Sequence, residues 1–327
     1  MLIVDAHLDL SYNALDRGRD VTRPAVEQPI ADNEIATVGL PDLHKGGVGL
    51  ICATIFCAPR KYKTADEART LALNHLAWYR RQESEGRLRF LRSMGVSPMS
   101  SEEALSAILL MEGADAFRSA DDVPEWFNNG LRIVGLAWGQ TRAAGGTGAP
   151  GPLTDFGRSL VRAFDKAGII HDLSHLADES FWQLLDLATG PVMASHSNCR
   201  AIVPTDRQLS DEMIKAIAKR DGVIGINFYD QFLQKPEHYR KQRCTLVDLI
   251  AHIQHIADLL GTTKNIGIGS DMDGGLGREE IPVEITTAAD LPRLAEALSQ
   301  SGFNDADVLG IMSANWIKFF RRALPRA

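Results

Sequence analysis

Gly168-Ile-Ile-His-Asp-Leu-Ser-His175 and, sixteen positions further on, Pro191-Val-Met-Ala-Ser-His-Ser-Asn198 share one design. Each opens on a short apolar run and stops abruptly in ionisable or amide groups. A run that is apolar throughout, rather than alternating, reads as a strand buried on both faces. The intervening segment 179–188 carries apolar residues at helical spacing, so the pair reads strand–helix–strand. The unit recurs along the chain. Apolar runs stand at 2–4, 49–56, 107–111, 133–137, 168–170, 191–194, 223–226 and 266–268, eight in all. Helical spacing over 64–86, 155–167, 179–188, 211–219, 246–260, 290–301 and 305–322 fills most of the gaps, with N-caps at Thr64, Asp155 and Ser210 or Asp211. Eight strands alternating with helices predict an α/β fold, a (β/α)8 barrel of the TIM type. The alternative is a doubly wound open sheet. The strand count favours closure, and no Gly-x-Gly-x-x-Gly follows the first run, as a dinucleotide fold would require. The Gly/Pro-rich stretch 145–152 is short and reads as a loop, so residues 1–327 are expected to form one barrel domain, with the extra length in the connections 11–40 and 60–90.

Composition narrows the function classes. The 327 residues carry 35 Lys+Arg against 42 Asp+Glu, a formal net charge of −7, and 45% are apolar. A mildly acidic chain lacks the basic stripe of a nucleic-acid-binding surface. No apolar run reaches the roughly 18 to 20 residues of a membrane helix. Residues 1–7 lack the basic segment and long apolar stretch of a secretory leader. The four cysteines, Cys52, Cys57, Cys199 and Cys244, include no Cys-x-x-Cys and make no disulfide framework. A reduced, soluble, cytoplasmic protein without nucleic-acid or membrane partners is expected.

The ends of the runs carry the chemistry. They read Asp5-Ala-His7-Leu-Asp9, Glu112-Gly, His171-Asp172-Leu-Ser-His175, Ser195-His196-Ser-Asn198, Asn227 and Ser270-Asp271-Met-Asp273. In a barrel these ends converge on one mouth, where the active sites of such enzymes lie. His7 and Asp9, two apart on a strand, point to one face and suit a divalent metal, although a core histidine bonded to a carboxylate has the same pattern. His175 and His196 end adjacent strands and suit a second cation, zinc being well matched to His and carboxylate ligands. Glu112 ends an apolar strand, where a lone carboxylate is costly unless paired or coordinated. It could bridge two metals at roughly 3.5–4 Å, or pair with an arginine or lysine. Asp271 could accept the proton of an activated water, or only cap the following turn. Asp273, two residues on, would also face inward and serve the site, or only brace the loop. Arg207, in the loop after the sixth run, could take a substrate carboxylate in a bidentate pair, but its position by itself suits a surface arginine better. Cys199 is a poorer nucleophile candidate, past its strand end with no sharp elbow around it. His252 and His255 suit a partly exposed helix face, His171 should alternate away from the mouth, and His44, His75 and His238 have no polar residues gathered around them.

Taken together, these motifs resemble the membrane (renal) dipeptidase family, binuclear zinc peptidases among the amidohydrolase-like barrels. The resemblance runs from Asp5-Ala-His-Leu-Asp-Leu10 through Asp42-Leu-His-Lys-Gly-Gly-Val-Gly49, Met111-Glu-Gly113, Pro152-Leu-Thr-Asp-Phe-Gly157, Asp172-Leu-Ser-His175, Ala194-Ser-His-Ser-Asn198 and Gly222-Val-Ile-Gly-Ile-Asn227 to Gly267-Ile-Gly-Ser-Asp-Met-Asp-Gly274. It implies two zinc ions, one on His7 and Asp9 and the other on His175 and His196, bridged by Glu112 and a hydroxide that attacks the substrate. It implies that Asp271 handles the proton and that Arg207 holds the C-terminal carboxylate of a dipeptide. A homodimer is common in that family. One position departs. The histidine expected to stabilise the oxyanion after the fourth strand is Trp138 here, and losing such a group typically costs about 10²–10³ in rate. Gln140 or Arg142 could substitute. Three readings follow. The first is a zinc-dependent dipeptidase-like hydrolase. The second is a metal-dependent hydrolase of an N-acyl amino acid, cyclic amide or lactone, redirected by Trp138. The third is a non-catalytic metal-binding barrel.

Overall fold

The computed structural model describes residues 1–93, 104–235, 237–238 and 241–326. Its strands are β1 (Ile3–Leu8), β2 (Val48–Phe56), β3 (Leu88–Phe90), β4 (Leu105–Glu112), β5 (Leu131–Gly135), β6 (Ile170–Asp172), β7 (Val192–Met193), β8 (Ile224–Ile226) and β9 (Ile266–Ile268). All pair in parallel, in the order β7-β6-β5-β4-β2-β1-β9-β8, with β3 beside β4. A bridge from Ala194 to Ile224 joins the two ends of that order. There the Ala194 N–H donates to Val223 O at 3.0 Å and the Gly225 N–H to Ala194 O at 2.8 Å. The fold is the eight-stranded parallel barrel, and the open-sheet alternative falls away.

Several strands are offset from the apolar runs by about two residues, as β6 is, and two depart for a plain reason. The short β3 escapes the pattern because Arg89 interrupts its only two apolar residues. In β1 the strand runs past Val4 through Asp5 and His7, all buried. A carboxylate is tolerated there because Asp5 accepts hydrogen bonds from the Ser270 N–H at 2.8 Å, the Ser270 hydroxyl and the His7 N–H. The register of β1 against β2 shifts between Asp5 and Leu8, where His7 lies.

The barrel interior is filled by Val4, Ala6, Leu50, Cys52, Ile108 and Leu110, which pack on Trp316, Phe319 and Phe320 of the C-terminal helix. Trp316 donates its indole N–H to Ile268 O at 2.9 Å and stacks on Phe320 at 5.4 Å. Gly267 permits this approach, because an added Cβ would come within 2.1 Å of Trp316 Nε1. The segment expected as one helix over 305–322 is α-helical over Asp305–Leu309, widens to a π-turn over Gly310–Ala314, and resumes over Asn315–Ala323. The Asn315 amide donates to Thr263 O and Ile266 O, both at 2.8 Å, which ties the widened turn to the barrel.

Outside the barrel, the strands' other faces and the helices form the larger apolar core. Thr64 and Glu67 close a capping box on the helix Ala65–Ser84, and Ser210 caps Asp211–Lys219. The cap of Asp155–Ala167 is Thr154, whose hydroxyl accepts from the Gly157 N–H at 3.1 Å, so Asp155 lies in the first turn. His252, expected on a partly exposed helix face, is buried, and so is His75. His252 accepts the Cys199 N–H at 3.1 Å on Nδ1, and His75 lies 2.8 Å from Ser11 Oγ. Among the described residues no helix is long and apolar enough to cross a membrane.

Candidate metal centre and active-site cavity

The inward row of β4 reads Ile108, Leu110, Glu112, so the apolar interior gives way to a carboxylate at the strand's last residue. The row of β6 does the same with Ile170 and Asp172, and Ser195 follows β7. These polar residues form a layer between the apolar interior and the histidines above. Ser195 has one hydroxyl proton, which it donates to Asp172 Oδ2 at 2.5 Å. Its oxygen also lies 2.7 Å from His196 Nδ1 and 3.2 Å from His7 Nδ1. With its proton committed, Ser195 can only accept from both rings, so each carries a proton on Nδ1 and turns Nε2 toward the cavity. His175 turns likewise, with Nδ1 3.0 Å from Thr147 Oγ1.

The Nε2 atoms then meet Glu112. Glu112 Oε1 lies 3.2 Å from His175 Nε2, 3.3 Å from His196 Nε2 and 3.9 Å from His7 Nε2. His175 and His196 bring their Nε2 atoms within 3.0 Å of each other, and Asp9 Oδ2 is 3.5 Å from His7 Nε2. Two sets, His7 with Glu112 and His196, and His7 with Asp9 and Asp271, each hold their ligand atoms within 4.8 Å of one another. Among the described residues, His7 Nε2, Asp9 Oδ1 and Glu112 Oε1 are buried and find no hydrogen-bond partner. Such orphans are expensive unless something coordinates them. Imidazole nitrogens and carboxylate oxygens aimed at common points are the donor set of divalent transition metals, so these residues fit a divalent metal.

The electrostatics agree. Burial alone would lower His7, but the carboxylates of Glu112, Asp9 and Asp271 outweigh it and push His7 up to about 10. Negative charge is in excess there, which a divalent cation would balance. Burial holds His175 and His196 well below the usual histidine range, hence neutral, as ligands must be. Burial raises Glu112 far above an ordinary carboxyl, against the pull of His7. Asp271 is pushed up to about 7, chiefly by burial and also by Asp9, while His7, Arg207 and a 3.0 Å hydrogen bond from Asn227 Nδ2 oppose the shift.

Backbone strain gathers at the same place. His175, Asp271 and Asp273 have φ of 67°, 58° and 64°, in the left-handed region that side chains beyond glycine seldom adopt. Gly274 supplies the room Asp271 needs, since a Cβ there would lie 1.8 Å from Asp271 Oδ1. Asp273 faces away from the ligands. It accepts from the Thr37 N–H and hydroxyl, both at 2.8 Å, and from the Val38 N–H at 3.0 Å, and it pairs with Arg19. Its place is that of a brace between two loops.

Above the ligands lies a cavity of about 690 Å³, with Asp9, Glu112, His175, His196 and Asp271 on its wall. Trp138 is on the same wall, its indole 44% exposed and 5.6 Å from the Phe56 ring. Gln140 is not on it; it borders a smaller recess with Tyr62 and Asp115. Arg207 is not on it either. Its guanidinium is buried beside His196, donating to Ser197 Oγ at 3.1 Å and to the His196 carbonyl, with Phe232 over it at 5.1 Å. His171 turns outward to Asp165 at 2.8 Å, and burial raises the Cys199 thiol far above its ordinary value, leaving it inert at neutral pH. Tyr12, Arg17, Phe56, Arg60, Tyr229 and Phe232 also line the cavity, as do Asp32 and Glu34, and went unnoticed in the sequence. Most of them have one signal in the sequence, a position at or shortly after a strand end, as for Phe56, Arg60 and Tyr229.

Comparison with known proteins matches the architecture to a family. The profile of the membrane dipeptidases, peptidase family M19, covers residues 1–325. The chain belongs to that family. Its members and neighbours are metallopeptidases, and the chain is a metal-dependent hydrolase of this class. A metallopeptidase of Rhodobacter sphaeroides, solved with a phosphinate mimic of the dipeptide L-Ala-D-Ala, is 26% identical with a TM-score of 0.85, and the match covers 99% of both chains. The uncharacterised protein in the pqqA 5′ region of Klebsiella pneumoniae is 29% identical, over 73% of this chain and 90% of that one. An uncharacterised dipeptidase of Schizosaccharomyces pombe is 25% identical over 66% of this chain, which spans about half (53%) of its length.

Proposed function

We propose that this chain is a dipeptidase that uses two divalent ions, zinc being well matched to the donors. His7, Asp9 and Glu112 would hold one ion, and His175, His196 and Glu112 the other. Bound there, such ions lower the pKa of water toward neutrality and polarise a carbonyl oxygen. The chain's own residues would do the rest. Asp271, raised to about 7, is basic enough near neutral pH to take a proton from the attacking water and later give it to the leaving amine nitrogen. Asn227 holds its Oδ2 and Gly274 packs on its Oδ1, so the carboxylate has one orientation. Ser195 and Thr147 hold the three rings with Nε2 inward. Trp138 offers a single indole N–H and a flat apolar face where a histidine was expected. The buried Arg207 cation offsets the charge of Glu112 and Asp271.

The observation that carries the reading is the meeting of three Nε2 atoms around Glu112 Oε1, with Asp9 and Asp271 adjacent. A relative solved with a dipeptide mimic supports the substrate class. The test is metal analysis of the purified chain and a panel of L,L- and L,D-dipeptides assayed after zinc loading. Near two metal equivalents and turnover of some dipeptides are expected. Absence of bound metal, or of turnover across the panel, would overturn the proposal.

A second reading rests on Trp138 alone. An exposed indole beside Phe56 suits an acyl group or a ring better than a short peptide side chain. N-acyl amino acids, cyclic amides and lactones in the same panel distinguish the two. If Trp138→His raises dipeptide turnover and lowers that of acylated substrates, Trp138 sets the preference.

A further inference from the structure

Three arginines lie in or beside the cavity, and their partners differ. Arg207 is buried and turned onto Ser197 and the His196 carbonyl. Arg17 pairs with Glu34 and, at 3.2 Å, with Asp32. Arg60 is exposed on the cavity wall, and among the described residues no carboxylate pairs with it. The acidic groups that act on it from a distance, Asp16 and Asp32, are taken up by Lys61 and Arg17. Its one hydrogen bond goes to the Tyr12 hydroxyl, with Nη2 at 3.3 Å. A guanidinium has five N–H donors, so most of those on Arg60 remain available.

The mount is firm. Arg60 sits in the 3₁₀ turn Pro59–Lys61, where proline fixes the backbone and the Lys61 N–H donates to Ala58 O at 2.9 Å. Tyr12 is buried, and its ring meets Phe56 edge-on at 5.4 Å. Arg60 lines the same cavity as Tyr12, Phe56 and the candidate metal ligands Asp9, Glu112, His175 and His196, so it suits an anionic group on a substrate whose reacting carbonyl lies over those ligands. Arg60 presents the planar fork that binds a carboxylate bidentately.

We propose that Arg60, positioned by Tyr12, binds a carboxylate of the substrate and so selects anionic substrates. The proposal builds on the dipeptidase reading above. The carboxylate is either the substrate's C-terminus or an acidic side chain, and Ala-Ala, Ala-Ala-amide and Ala-Asp-amide separate the two. Binding is measured calorimetrically on zinc-loaded Asp271→Asn protein, with and without Arg60→Met, which keeps an apolar stem on an exposed residue. Turnover is measured separately in the Asp271 background.

Loss of Arg60 is expected to weaken binding of the carboxylate-bearing peptide roughly 10- to 100-fold and to leave the neutral Ala-Ala-amide unchanged. Arg60→Lys should recover part of the loss. If Ala-Ala alone responds, the C-terminus is read. If Ala-Asp-amide responds, the side chain is read. Equal affinity in both proteins for all three peptides overturns the anchor, whatever the turnover. Charge-dependent binding without turnover breaks the dipeptidase reading and leaves the anchor standing. No binding of any peptide to either protein overturns both.

Discussion

Within the barrel interior, Val4, Leu50, Ile108 and Leu110 close on Trp316, Phe319 and Phe320, and their few polar contacts are satisfied. A little further along the same strands stand Asp5, Glu112 and Asp172, then the three histidines, with ligand atoms left without partners. The first region stabilises the fold by excluding water. The second opposes folding, because buried charges crowd together over a strained backbone at His175 and Asp271. A carboxylate and a leucine two residues apart on one strand face can therefore belong to different tasks. The interior supplies stability, and the mouth draws on it to hold groups in an arrangement that bound ions would relieve.

Substitutions can break that division, beginning with the largest effect. Glu112→Ala removes the oxygen common to the three Nε2 atoms. Metal content should fall below two equivalents and activity by about 10³-fold or more, while the unfolding temperature measured in chelator holds or rises. Trp316→Ala should do the opposite, costing about 3–5 kcal/mol in denaturant unfolding and leaving metal stoichiometry intact where the chain is folded. Asp271→Asn keeps the shape and removes the proton acceptor. Its kcat should drop about 10²–10⁴-fold with metal content unchanged. Ser195→Ala tests the layer between the two regions. Without the shared acceptor the rings of His7 and His196 lose orientation, and metal affinity measured by competition with a chelator should fall about 10- to 100-fold.

The smallest effect is expected outside both regions. Burial would raise Asp165, but hydrogen bonds from His171, Thr189 and Gly190 hold it below the usual carboxylate range. Because its folded pKa lies under the unfolded value, its contribution to stability is full above the unfolded range, near 3.9, and fades as pH falls through the folded value. The stability difference between wild type and Asp165→Asn should be constant above about pH 5 and shrink below about pH 4.

Much of this was legible without coordinates. The barrel followed from eight apolar runs and their helices, because strands buried on both faces have no polar face to alternate. The set His7, Asp9, Glu112, His175, His196 and Asp271 followed from one feature, ionisable residues where apolar runs stop. The strand β3 was hidden by Arg89. The apolar run at 2–4 marks only the start of β1, because Asp5 and His7 interrupt it, and Ser270 satisfies the buried Asp5. His252 carries no mark of its burial, since its partners come from Cys199 and Leu233, far along the chain.

The chain's local pattern by itself determined the barrel, the mouth and the residues gathered there, because periodicity and the cost of buried charge act over a few residues. Only the tertiary structure decided how those residues face. Ser195 sets the protons of two rings, Arg207 turns inward onto His196, Gln140 borders a different recess, and Arg60 pairs with no carboxylate among the described residues. Each of these depends on which distant loop arrives beside it, and no short stretch of sequence carries that distance.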